Sequence, residues 1–206
     1  MAFRLSVLLG LGLLTTLISA SAAVAQQRPL VTEDPEPVGS GLILVEVGID
    51  YLREQPYPVS GLRGHLVRVP TLGFSMGVSA IAEIQVDNIS YQRLRVLERV
   101  DAPLSQLLRL SGDRTSDMDD IVVGAKVRML SETEGRPAIG LRFATRLPNA
   151  GNESGLGLDT MDFLNTVLIG KTIQSVRVVG NFGYGILSDP VAGNRQNDVI
   201  LYGVSI

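Results

Sequence analysis

Between Ile121 and Leu130, apolar and polar positions alternate almost without interruption. Ile121, Val123, Ala125, Val127 and Met129 share one parity, and Gly124, Lys126 and Arg128 share the other. The stretch from Ala138 to Leu147 repeats the pattern, with Ile139, Leu141 and Phe143 against Gly140, Arg142 and Arg146. Side chains alternate across a strand, so each stretch predicts a strand with one apolar and one cationic face. About ten residues with one wholly apolar face is the pattern of a membrane-spanning barrel strand.

The same period recurs along the chain. A first strand is expected from Leu42 to Arg53, with Glu46 and Asp50 on its polar face, followed by a Pro- and Gly-rich connection from Glu54 to Gly64. A second, His65 to Met76, changes phase at Pro70-Thr71, which predicts a bulge where proline is tolerated. A tight turn at Gly77 to Ser79 leads to a third, Ala80 to about Val96, with Glu83, Gln85 and Asp87 opposite Ala82, Ile84 and Val86. A long connection from Arg99 to Asp119 follows. Its segment Leu104 to Leu110 places Leu104, Leu107 and Leu108 at helical spacing. After the two strands already described come Met161 to Gly170, Val176 to Leu187 (Arg177 and Asn181 opposite Val176, Val178 and Phe182) and Asp198 to Ile206.

Eight strands result, joined by connections read as alternately long and short. Outer-membrane barrels have this rhythm, with short turns on the periplasmic side and long loops outside. The expected fold is therefore all-β: an antiparallel up-and-down transmembrane β-barrel of about eight visible strands, with strands after Ile206 allowed for.

The N-terminus points to the same location. Arg4 precedes an apolar run from Leu5 to Ile18 and a small-residue ending at Ala23-Val24-Ala25, which predicts a signal peptide over 1–25 cut before Gln26. Residues 26–40, QQRPLVTEDPEPVGS, are rich in Pro and acid and are expected to form a periplasmic lead-in to a barrel domain spanning 41–206. With 18 Lys and Arg against 21 Asp and Glu, and no concentrated basic patch, nucleic acid is not an expected partner. The expected partners are outer-membrane lipid and a small-molecule permeant. There is no cysteine, so disulfides and thiolate metal sites are excluded.

If the polar faces line a lumen, the candidates are Glu46, Asp50, Glu83 and Asp87 from early strands and Lys126, Arg128, Arg142, Arg146 and Arg177 from later ones. Opposite charges in a narrow lumen would pair, because an isolated charge there loses its hydration. This is read either as a structural plug, favoured for an eight-stranded interior, or as a charged constriction that selects permeants. His65 with Ser60 or Ser75 offers a remote lipid-modifying alternative, but no spacing requires a triad. No catalytic, cofactor-binding or metal-binding residue is therefore expected, and the chain is expected not to be an enzyme. The acids Asp113, Asp117, Asp119 and Asp120 read as a solvated loop, and Gly155 to Asp159, GLGLD, as a flexible outer loop.

The motifs RPLVTEDPEPVGSGLILVEVGIDY, DIVVGAKVRML, RPAIGLRFATRLPNA, GLGLDTMDFLNTVLIGK and VVGNFGYGIL resemble the outer-membrane transporter family associated with phenol meta-degradation pathways. The resemblance implies a barrel that passes small, including aromatic, molecules passively. Two departures stand against it: members are typically longer, and this chain has no Trp, five Tyr and five Phe, which makes a thin aromatic girdle. The alternatives are a plugged structural or adhesion barrel and a soluble periplasmic β-protein.

Overall fold

The computed structural model describes residues 32–192 and 195–206. The expected signal peptide, and residues 26–31 of the lead-in, lie outside them. The described chain is an antiparallel meander: β1 (Ile43–Tyr57), β2 (Leu62–Gly77), β3 (Ala82–Arg99), the short β4 (Arg114–Met118), β5 (Val122–Leu130), β6 (Ala138–Arg146), β7 (Asp162–Ile173), β8 (Val176–Ser188) and β9 (Gln196–Ser205). The strand order is β1-β2-β3-β5-β6-β7-β8-β9, and β4 pairs with the upper part of β3. This is the expected all-β, up-and-down arrangement, curled into a half-barrel whose edges are β1 and β9.

The alternation dictates the faces. Lys126, Arg142, Thr166 and Gly183 fall in one row across β5 to β8, with Glu83 on β3 at its end. The row beside it is Val127, Leu141, Val167 and Phe182. The first row faces inward and the second outward. The sheet is thus inverted relative to a water-soluble one: Val45, Val47, Phe143, Ile169, Phe182 and Tyr202 are exposed, while Glu83, Gln85 and Lys126 are buried. Polar residues interrupt the outer face at Thr145 on β6, Asn165 on β7 and Asp198 on β9.

The phase change in β2 is a bulge. Gly48 pairs with Thr71 but Asp50 pairs with Arg68, so three steps on β2 match two on β1 around the cis Val69-Pro70 bond. Beyond it Leu62 and Leu66 point inward and meet Leu94, Val96 and Leu156, forming the apolar cluster of this end.

Two expectations need correction. The first connection is not long. β1 and β2 run on to a four-residue turn at Pro58 to Gly61, because β1 is an edge strand and Pro56, which has no N–H to donate, costs no ladder bond there. Gly61 closes the turn at φ +76°, where an added Cβ would lie 2.1 Å from the Val100 carbonyl oxygen. Long and short connections therefore alternate only from β3 onward. The loop containing Gly155 to Asp159 is also packed rather than open: it folds back over the sheet and buries Ala150 and Leu156. The expected helical turn is a 3-10 turn over Ser105–Leu107. Leu104 is buried, Leu108 packs on the apolar cluster and Leu107 is exposed.

Candidate functional site

The inner face carries a charged array covered by the chain's own lead-in. Residues 32–38 cross the strands near the short-turn end, from Gly77 on β2 to Ser205 on β9. The Glu33 carboxylate accepts from Gln85 on β3 at 2.5 Å, Lys126 Nζ on β5 at 3.3 Å and Arg142 Nε on β6 at 2.8 Å. Its backbone N–H donates to Asn181 Oδ1 on β8 at 2.6 Å. In a flat sheet β3 and β8 would lie about 19 Å apart, four steps of roughly 4.8 Å. One residue reaches both only because the sheet is curled.

The pairing then continues along the segment. Asp34 receives a two-pronged contact from Arg177, Nε to Oδ2 and Nη2 to Oδ1, each 2.7 Å. Its carbonyl accepts from Lys126 Nζ at 3.0 Å. Glu36 pairs with Arg128, and the Val38 N–H donates to Glu83. Lys126 is the centre of the array: its side chain is 0% exposed, and Glu83, itself 0% exposed, lies 3.0 Å away. Asp87 meets Arg142 at 3.5 Å.

The seat is shaped by missing side chains. A Cβ on Gly140 would stand 3.1 Å from Pro35, one on Gly170 would stand 3.0 Å from Pro35, and one on Gly203 would stand 3.0 Å from Thr32. These glycines let a second layer of backbone lie against the sheet.

Of the nine lumen candidates, Glu83, Asp87, Lys126, Arg128, Arg142 and Arg177 come together in this array. Arg146 lies on the same face nearer the loops and pairs with the buried Asp162. Glu46 and Asp50 face inward but are not among its partners, contrary to the expected pairing of first-strand acids with later cations. β1 is the open edge, separated from the cations by β2, whose inner face there holds Thr71, Gly73 and Ser75, and Arg68 opposite Asp50 turns instead to Asp119 at 3.2 Å. The missing counter-charges are Glu33, Asp34 and Glu36, which sequence reasoning assigned to a lead-in away from the lumen. The available signal was an acidic segment in a chain whose strands carry more inward cations than inward acids on β3 to β8.

At the loop end a second, smaller site opens: a cavity of about 280 Å³ walled by Tyr57, Pro58, Arg68, Asp119, Asp120, Arg146 and Leu156. Burial pushes the Asp120 carboxyl above its ordinary value, against the pull of the Ala150 N–H. It accepts from the N–H groups of Ala150 at 2.9 Å and Asn149 at 3.1 Å, and Asp117 accepts from Gly151 N–H at 2.9 Å. The loop acids therefore organise the loops rather than stand in solvent. His65 is half-buried on the outer side, beside the Tyr51 ring (centroids 6.1 Å apart), while Ser60 and Ser75 are buried. The Ser60 hydroxyl donates to the Gly155 carbonyl at 2.8 Å, so the structure does not bring a serine to the histidine.

No protein-family model, curated protein or solved structure was found to match this chain. The reading of the site therefore rests on its geometry.

Proposed function

We propose that this chain is an outer-membrane β-barrel protein that lets small molecules pass down their gradient without chemistry. The observation that carries the reading is the inverted sheet, with exposed aliphatic and aromatic side chains outside and buried, ion-paired groups inside. Such a surface is costly in water and favourable in hydrocarbon. The outer face also has an upper limit. On β2 and β3 its apolar residues give way above Tyr91 to Arg93, Arg95, Arg63 and His65, as where strands leave a bilayer. β5 and β6, nine residues each, cover roughly 23 Å at about 3.3 Å per residue and 40° tilt, close to the apolar band of outer-membrane barrels.

In a bilayer the edges β1 and β9 need partners, since unpaired backbone groups in hydrocarbon cost several kcal/mol each, so the membrane form pairs them with further strands. The cavity at the loop end is the entrance and the charged array the constriction. The resemblance to phenol-pathway transporters agrees with a small permeant.

A second reading is favoured by one observation, the lead-in filling the inner face: a plugged structural or adhesion barrel that acts through its loops. Liposome swelling with sugars of graded size decides between them. Passage of small sugars with a size cut-off supports transport, and none supports the plug. Recovery of the mature protein with soluble periplasmic contents, rather than with detergent-extracted outer membranes, would overturn both.

A further inference from the structure

The cations beneath residues 32–38 are arranged for carboxylates. Arg177 grips Asp34 with a planar fork, the geometry that distinguishes carboxylate recognition from simple charge attraction. Arg142 and Lys126 share the adjacent Glu33. With the turn carboxylate Glu132, which pairs with both Arg177 and Lys171, the sheet side of the array supplies five cations, Lys126, Arg128, Arg142, Lys171 and Arg177, but only three carboxylates, Glu83, Asp87 and Glu132. Two positive charges stay uncompensated unless something acidic lies on them.

What lies on them is attached through side chains. The N–H groups of Glu33 and Val38 go to Asn181 and Glu83, and the carbonyls of Glu33 and Asp34 accept from Asn181 and Lys126. Pro35 and Pro37 have no N–H to give to a strand. The segment thus occupies its glycine-floored seat as a peptide ligand occupies a groove, by its acids, and contributes no strand to the sheet.

We infer that this seat is a binding site for small polycarboxylates, and that residues 32–38 are its tethered occupant, which such anions displace. The ligand class follows from the groups replaced: two carboxylates a few bonds apart, as on neighbouring Glu33 and Asp34, with charge enough to balance two cations. The assignment stands apart from passage across a membrane, because it concerns binding to the folded chain.

The chain has no cysteine, so a single Pro37→Cys substitution reports on the segment without background. The folded, detergent-solubilised full chain would be labelled with a maleimide in citrate, and in sodium chloride of equal ionic strength. The expected result is a saturable acceleration of at least about threefold in citrate over chloride, reduced by Arg177→Gln. Equal rates in the two salts, or fast labelling without either, would overturn the inference. Calorimetric titration of citrate provides a second measurement without a cysteine. Neutralising the occupant with Glu33→Gln, Asp34→Asn and Glu36→Gln together is expected to tighten citrate binding about tenfold over wild type, and unchanged or absent binding in both would refute the site.

Discussion

Replacing Lys126 by Met tests how much the sheet depends on its inner charges. The Nζ lies 3.0 Å from Glu83, 3.3 Å from Glu33 and 3.0 Å from the Asp34 carbonyl, and neither the Lys126 nor the Glu83 side chain is exposed. Methionine fills most of the volume but leaves the Glu83 carboxylate without a cation. Breaking a buried pair from one side costs about 3–5 kcal/mol, because the remaining charge is still desolvated. Gln85 continues to donate to Glu83 at 2.8 Å, as does the Val38 N–H, which puts the loss near the lower end, about 3 kcal/mol or roughly a hundredfold in the folding equilibrium. With a urea slope of about 1–3 kcal/mol/M, the midpoint should fall by about 1–3 M.

The decisive comparison is the double variant. Glu83→Gln removes the orphaned charge while keeping an acceptor, so Lys126→Met with Glu83→Gln should recover about 1–2 kcal/mol of what Lys126→Met alone loses. The assay is urea titration of the full chain in detergent, followed by circular dichroism. A Lys126→Met midpoint equal to wild type, or losses that simply add in the double variant, would refute the reasoning.

Other substitutions separate the remaining claims. Phe143→Arg places a charge on the outer face and should cost about 2–4 kcal/mol in a lipid bilayer; a loss below about 0.5 kcal/mol would mean that this face meets water. Leu66→Ala, at a site 0% exposed within the apolar cluster, should cost about 2–5 kcal/mol in the same titration. At the short-turn end, the Thr172 N–H and then Arg177 hold the Glu132 carboxyl below its usual 4.5, so its contribution to stability is present above that value and fades as pH falls through the lowered one; denaturation of wild type and Glu132→Gln should differ at about pH 7 and converge at about pH 2. Asp120 has the opposite sign: burial raises its carboxyl above 3.8, so wild type loses stability as pH rises through the raised value, whereas Asp120→Asn, which keeps an acceptor for the Ala150 N–H, should show a flatter pH profile.

The strands and their faces were readable because period two is a local signal. Val123 against Gly124 and Phe143 against Arg142 already state which side is which. The β2 bulge was readable for the same reason, since Pro70 marks where the phase changes. The reach of the β1–β2 hairpin was not, because Pro56 and Gly61 look like loop residues whether or not the strand runs between them. Only the edge position of β1, a property of the whole sheet, makes Pro56 acceptable there. The docking of residues 32–38 was least readable of all. Glu33 and Asn181 are 148 residues apart, and their meeting depends on curvature, which no period records.

The division of counter-charge between the sheet and this segment bears on what the molecule can do. Glu83 faces Lys126 directly in register, so that pair is fixed for as long as β3 and β5 remain paired. Had every inner cation such a partner, neutrality would be a property of the sheet and no part of it could be exchanged. Instead Arg177 and Arg128 take acids from a stretch with two prolines and side-chain anchors, which can leave without breaking a ladder bond. Leaving strips Arg128 of its carboxylate and leaves Arg177 sharing Glu132 with Lys171, and an under-compensated desolvated charge is costlier than a paired one, so the segment cannot simply drift away. It is traded for another anion, and this ties opening of the inner face to the arrival of something that carries charge.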